Sequence, residues 1–153
     1  DENKQLVISD TVHEHIEPYP GLNLNQEALD FTGIKPFNPF RFAKAEKISL
    51  ESMIKTVSKE TKTNEICVTM GEKGACYYTN NSFYFQDGFK INVSDTVGAG
   101  DSFLATLVEG ILNNTKPEKV LKKACAVAAI VASKKGATSK VSLNEISDLI
   151  ESK

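Results

Sequence analysis

The nine residues from Asp95 to Phe103 read Asp-Thr-Val-Gly-Ala-Gly-Asp-Ser-Phe, a carboxylate set beside a backbone that can bend tightly. Gly98 and Gly100 permit positive φ and let a ligand approach the main chain closely. The string follows an extended stretch and runs into apolar residues at Phe103, Leu104, Leu107, Val108 and Ile111, a helical spacing. It should therefore open a helix. The first turn of a helix leaves N–H groups without intrahelical acceptors, at the positive end of the helix dipole. That spot suits a phosphate or a developing anion. Asp101 would stand in the same turn, where a carboxylate can take the proton of an attacking hydroxyl while the amides hold a phosphoryl group. Taken alone, Gly-x-Gly-Asp more often does no more than start a helix. The full string is far more specific.

At every fixed position the string resembles the second signature of the ribokinase-like (PfkB) carbohydrate kinases, Asp-Thr/Ser-x-Gly-Ala-Gly-Asp-x-Phe. Val68-Thr-Met-Gly-Glu-Lys-Gly-Ala75 is similar to the strand and turn that line the nucleotide site in that family. Ala126 to Ala132, followed by Lys135-Gly-Ala137, resembles its late helix and the loop closing over adenine. The likeness runs from about Ile66 to Ile150, and its wording is nearest to fructokinase-like members.

This resemblance implies a three-layer α/β/α sandwich, present here as its C-terminal portion, over residues 49–153. It implies ATP-dependent phosphorylation of a sugar or related alcohol, with Mg²⁺ accompanying ATP. Asp101 would be the catalytic base, and the amides of Gly98, Ala99, Gly100 and Asp101 the anion hole. Thr69, Gly71 and Gly74 would lie along the nucleotide, and Gly136 near its base. Some members bind a monovalent cation beside the anion hole, partly through the residues matching Asp95 and Val97; whether this chain does, and whether it forms a homodimer, are left open. The competing reading is a nucleotide-binding module, or truncated pseudo-kinase, without turnover.

Residues 1–48 depart from the pattern and read as an irregular segment. They hold four of the five prolines and little periodicity. Leu6–Ile8 reads as a short strand, and Asn25–Phe31 as a short helix stopped by Gly33. Asn25-Gln-Glu27 resembles the family's Asn-x-x-Glu segment one residue out of step, which makes Glu27 the candidate for binding Mg²⁺ through water. Phe37-Asn-Pro-Phe-Arg41 is similar to an Asp-Pro-Asn-x-Arg strand end, but the order of the two is reversed relative to the family, so both assignments cannot hold. His13 and His15 read as exposed histidines, for no third metal ligand stands at a sensible spacing. Nothing upstream of Asp95 resembles a Gly-Gly sugar-contact motif, so the acceptor pocket is not legible and the chain reads as a fragment.

From Ser49 the elements that must carry the motif are clearer. Leu50, Met53, Ile54 and Val57 predict a helix to about Glu60, and Glu65 to Met70 a buried strand. Gly71 to Gly74 is a turn. Ala75–Thr79 and Ser82–Gln86 flank Asn80-Asn81 as a β-hairpin, and Ile91–Val93 is a further extended piece. Three helices follow: Ala99 to about Asn113, a second opened by a Thr115-x-x-Glu118 capping box and running to about Lys134, and a third opened by Ser142-x-x-Glu145.

Composition excludes little beyond this. The 153 residues carry a formal net charge of −2, with no bias towards nucleic acid or an anionic membrane. No apolar run reaches the roughly 20 residues that span a bilayer, so a cytoplasmic protein is expected. Cys67, Cys76 and Cys125 read as small buried hydrophobes, not a disulfide framework.

Overall fold

A computed structural model describes residues 46–136 and 139–152. The chain divides into two compact units, Asp1–Thr61 and Lys62–Lys153. The expectations for Leu6–Ile8, His13 and His15, Asn25–Gly33, Glu27 and Arg41 lie outside the described residues.

Of the first unit the described part is helix α1, Glu46–Thr61. It begins three residues before Ser49, the start read from the sequence. Of the predicted apolar face, Ile54 is buried and Leu50 half-buried, whereas Met53 and Val57 are exposed.

The second unit is built on a three-stranded antiparallel sheet: β1 (Glu65–Thr69), β2 (Ala75–Thr79) and β3 (Ser82–Gln86), in that order. The register runs from Glu65↔Thr79 to Thr69↔Ala75 on one side of β2, and from Ala75↔Gln86 to Thr79↔Ser82 on the other. A two-residue loop joins β2 to β3, and it needs positive φ at both positions to follow the strand twist. Asn80 and Asn81 supply φ of 49° and 58°. Asn81 Oδ1 also accepts a hydrogen bond from the Tyr78 hydroxyl at 3.0 Å, and Tyr78 stacks at a tilt on its cross-strand partner Phe83, ring centres 4.8 Å apart. Every residue of β2 is buried, so this strand is the middle of the core. Ile91–Val93 joins no ladder among the described residues.

Helices α2 (Ala99–Leu112), α3 (Pro117–Ala132) and α4 (Leu143–Glu151) complete the unit. Helix α3 packs on β2 and β3 and also contacts α2 and α4. Phe103 and Leu107 of α2 meet Val120, Leu121 and Ala124 of α3 in one buried cluster with Tyr77 of β2. Where α2 and α3 cross, a methyl group on Gly110 would lie 2.0 Å from Val120 Cγ2, so a bare backbone sets their separation.

The Thr115 capping box does not form. Thr115 instead closes α2: its amide donates to Gly110 O at 2.9 Å, and the Asn114 amide donates to Ile111 O at 3.0 Å, with Asn114 at φ 52°. This is a Schellman C-cap. Helix α3 then starts at Pro117, and Lys116 before it is held extended at φ −55°, ψ 135°. A residue preceding proline is driven from the helical region, so Lys116 cannot serve as the first helical residue after a Thr115 cap.

The Ser142 box does form, in both directions. Glu145 N–H donates to Ser142 Oγ at 3.3 Å, and Ser142 N–H donates to Glu145 Oε2 at 2.8 Å. Lys134 pairs with Glu145 and donates to Lys140 O. The end of α3 is thereby tied to the start of α4.

The turn between β1 and β2 is equally constrained. Gly71–Lys73 forms one 3₁₀ turn, and Gly74 leaves it at φ 102°. A Cβ on Gly74 would come within 1.9 Å of Gln86 O, so the turn lies backbone to backbone against the end of β3. Two predictions follow from these ties. Gly74→Ala, strained in φ and blocked by main chain, should lower thermal stability by on the order of 1–3 kcal/mol in a calorimetric or denaturant measurement. The Glu145 carboxyl, held down to about 2 first by Lys134 and then by Ser142, adds stability that is complete above its ordinary value of 4.5 and lost as pH falls through about 2. Amide shifts of Ser142 and Glu145 should titrate with a midpoint near 2, and Lys134→Met should move it back towards 4.5.

Candidate active site

The glycine-rich string sits where three pieces of the second unit converge. Upstream, the amides of Ser94 and Asp95 both donate to Ala132 O, at 2.8 and 3.1 Å, so the last turn of α3 anchors the entry to the motif. The Asp95 carboxylate then accepts from two backbone amides, Val97 N–H at 3.0 Å and Gly136 N–H at 3.2 Å. One side chain thus shapes its own turn and fastens it to the loop after α3. Gly136 holds φ 87° there, and Ser139 Oγ bonds to Lys135 O and Gly136 O within the same loop.

Downstream, Gly98 is the N-cap of α2 in the left-handed region, at φ 80° and ψ −7°. A residue with a side chain would be strained in that position, which explains a glycine there. Ala99 N–H closes the turn onto Thr96 O at 3.2 Å, and Ser102 N–H donates to Gly98 O at 3.0 Å. Gly100 and Asp101 occupy the first helical turn, where helix geometry gives their amides no intrahelical acceptor. Asp101 is exposed. Nothing lies within 4 Å of where a Gly100 Cβ would stand, so that face of the turn is open.

The open face gives onto a cleft of about 1180 Å³. Thr69, Gly71 and Gly74 line one side, and Thr96, Ala99 and Gly100 another. The structure therefore brings together the strand-turn segment and the helix N-terminus that the sequence singled out separately. Gly98, Asp101, Asp95, Val97 and Gly136 are not among the lining residues: Gly136 reaches the site through its bond to Asp95, and Val97 is 59% exposed. Two walls were not read from the sequence. One is Asp87 to Ile91, with Phe89 buried in the core and Lys90 at the surface. The other is the row Cys125, Ala128, Ala129 and Ala132 on α3. The i, i+3, i+4, i+7 spacing of those small residues is a readable signal for a helix face that leaves room beside it.

The cleft joins small apolar side chains on α3, glycine backbone at Gly71 and Gly74, charged residues at Glu72, Lys73, Asp87 and Lys90, and a helix N-terminus of the kind that suits an anion. Among the described residues no three His, Cys, Asp or Glu side chains are grouped to hold a metal ion. None of the three cysteines is in a disulfide: Cys76 and Cys125 are buried, and burial pushes the Cys67 thiol up to about 12. No described helix is long and apolar enough to cross a membrane.

Comparison with known proteins bears directly on this arrangement. Solanum tuberosum fructokinase is 39% identical over 79 residues, covering 47% of this chain and 25% of its own length. Ribonuclease T of Vibrio campbellii is 48% identical over 63 residues, 40% of this chain and 29% of that protein. The chain thus spans between a quarter and a third of the curated relatives it matches. Arabidopsis thaliana ribokinase, solved with ribose and ATP, superposes with a TM-score of 0.59 at 26% identity, over 66% of this chain and 34% of that one. The described sheet and helices are therefore part of a ribokinase-like α/β/α sandwich. The pfkB family carbohydrate kinase pattern matches residues 40–144, more than two thirds of the sequence, and the chain belongs to that family.

Proposed function

We propose that this chain carries the phosphoryl-transfer part of an ATP-dependent kinase acting on a hydroxyl of a sugar or related alcohol. The observation that carries the reading is the α2 N-terminus, where Gly98 turns the chain so that Ala99 and Gly100 border the cleft with Asp101 in the same turn.

In this reading the nucleotide lies in the cleft along Thr69, Gly71 and Gly74, its base towards the loop at Gly136 and its terminal phosphate at the start of α2. Mg²⁺ bound to the ATP phosphates would neutralise charge, and with no described carboxylate cluster to hold it the phosphates would carry most of its coordination. Glu27 is the proposed contact through water. The amides of Gly98, Gly100 and Asp101 bind the transferring phosphoryl group, and Ala99 joins them once its bond to Thr96 O yields. Asp101 takes the acceptor's hydroxyl proton as the oxygen bonds to phosphorus and the bridging oxygen leaves with ADP. Asp95 acts by holding the two loops together, since both its oxygens already accept backbone amides. A monovalent cation at Asp95 and Val97 would have to share those oxygens or use backbone carbonyls. The likeness to fructokinase supports a sugar acceptor.

Calorimetry and a coupled ADP assay with a hexose, pentose and nucleoside panel test the proposal on the 153-residue chain. Asp101→Asn should keep ATP binding and lower turnover by about two to four orders of magnitude, the usual share of a general base. Retained ATP binding with no wild-type turnover supports the binding module instead. Gly100→Ala separates site from scaffold. An alanine there should leave thermal stability unchanged or raise it by up to about 1 kcal/mol, because it meets no neighbour and favours the helix. Its methyl group should nevertheless weaken ATP binding. Unchanged affinity in Gly100→Ala would move the phosphate away from α2.

The likeness to ribonuclease T favours a second reading for about 40% of the chain, that this stretch is akin to part of an RNA-cleaving protein. Incubation with labelled RNA and Mg²⁺ tests it, and intact RNA at the end sinks it.

A further inference from the structure

Lys134 bridges the connection between α3 and α4. Its ammonium donates to Lys140 O at 2.6 Å and pairs with the Glu145 carboxylate in the first turn of α4. Glu145 is itself fixed, accepting from the Ser142 amide at 2.8 Å and the Ser142 hydroxyl at 2.9 Å. Lys134 first, and Ser142 second, hold that carboxyl down to about 2, so it is ionised throughout the neutral range. An isolated exposed ion pair contributes little, because water competes for both partners. Here the pair is one link in a longer chain of bonds, and what it sets is the path of the backbone.

That chain leads to the glycine turn. Within the stretch that Lys134 bridges, Ser139 Oγ donates to Lys135 O at 3.2 Å and to Gly136 O at 3.0 Å. The Gly136 amide donates to Asp95 Oδ2 at 3.2 Å. The other Asp95 oxygen accepts from Val97 N–H at 3.0 Å, one residue before the Gly98 cap of α2. Neither Lys134 nor Glu145 lines the cleft. Their route to it runs through Gly136 and Asp95.

We propose that the Lys134–Glu145 pair is a clip that positions the phosphate-binding turn at the start of α2, acting through Gly136 and Asp95. Both are positioning residues and not ligands of the nucleotide. The proposal rests on the reading of the cleft as an ATP site. A second anchor, the bonds from the Ser94 and Asp95 amides to Ala132 O, lies outside the clip. Loss of the clip should therefore loosen the turn without unfolding it. The expected change in affinity is about three- to tenfold, within the range that hydrogen-bond networks transmit between sites.

Proton–nitrogen correlation spectra of the 153-residue chain without nucleotide test the route. The Gly136 and Val97 amide protons bond to a carboxylate and should lie downfield. Lys134→Met and Glu145→Ala should each move both upfield, and the double variant should do no more than either alone. Lys134→Arg, which keeps a donor for both acceptors, should leave them in place. So should Lys123→Met, which breaks an exposed ion pair between α3 and α2 that has no part in this chain. Calorimetry tests the consequence. Lys134→Met and Glu145→Ala should weaken ATP by about three- to tenfold and AMP by less than about twofold, since AMP lacks the phosphates placed at α2. In Asp95→Asn, where the route is already cut, Lys134→Met should add nothing.

Unmoved Gly136 and Val97 resonances in Lys134→Met overturn the clip, as does ATP affinity indifferent to that substitution. Equal losses for ATP and AMP also overturn it, because the effect would then lie at the base. A loss in Lys134→Met that Glu145→Ala does not share would make Lys134 a direct phosphate ligand, which again overturns the clip. If the wild-type chain binds no ATP, the nucleotide reading fails and takes the role of the clip with it. When the clip alone fails, wild-type ATP binding stands.

Discussion

The arrangement of this unit depends on the Asp95 carboxylate and the backbone it ties. Its own amide and that of Ser94 are fixed to the end of α3 at Ala132, and its two oxygens fix the glycine turn and the loop at Gly136. Hydrogen bonds to a carboxylate contribute on the order of 1.5–3 kcal/mol each where water is kept away, and less at a half-exposed position such as this. Their geometric effect is larger than their energy. They set where the first turn of α2 points, and hence where an anion can be bound.

The second constraint is the absence of side chains where backbones meet. The 71–74 turn lies against the end of β3 because Gly74 brings no Cβ, and α2 lies close to α3 because Gly110 brings none. These contacts hold the floor and one wall of the cleft at fixed positions without polar side chains. The small row on α3 then leaves the volume in which a flat, apolar group can rest. The cleft is also lined by the charged residues Glu72, Lys73, Asp87 and Lys90.

Family membership and completeness are separate matters. The pfkB pattern covers most of the sequence, yet the chain spans a quarter to a third of the curated relatives it matches.

Much of the unit was legible in residue order because its causes are local. Asn80-Asn81 between two aromatic-bearing runs determined the hairpin and its register, since a two-residue loop demands positive φ at both positions. Ser142 and Glu145 determined the start of α4 through bonds three residues apart. The Asp95–Phe103 string determined a helix N-terminus with a carboxylate in its first turn. The Thr115 box failed for a local reason as well: the proline rule at Lys116 outweighs the capping pattern, and the Schellman closure of α2 had already taken the Thr115 amide. What only the tertiary structure decided involves partners far apart in sequence. The Asp95–Gly136 tie spans 41 residues, and the cleft walls at Phe89 and Ala128 belong to different elements. Periodicity marked both sides of α2 as apolar, but packing alone determined that Phe103 and Leu107 face the core while Leu104 and Val108 face out. Burial is a property of the neighbours a side chain meets, and those neighbours are chosen by the fold.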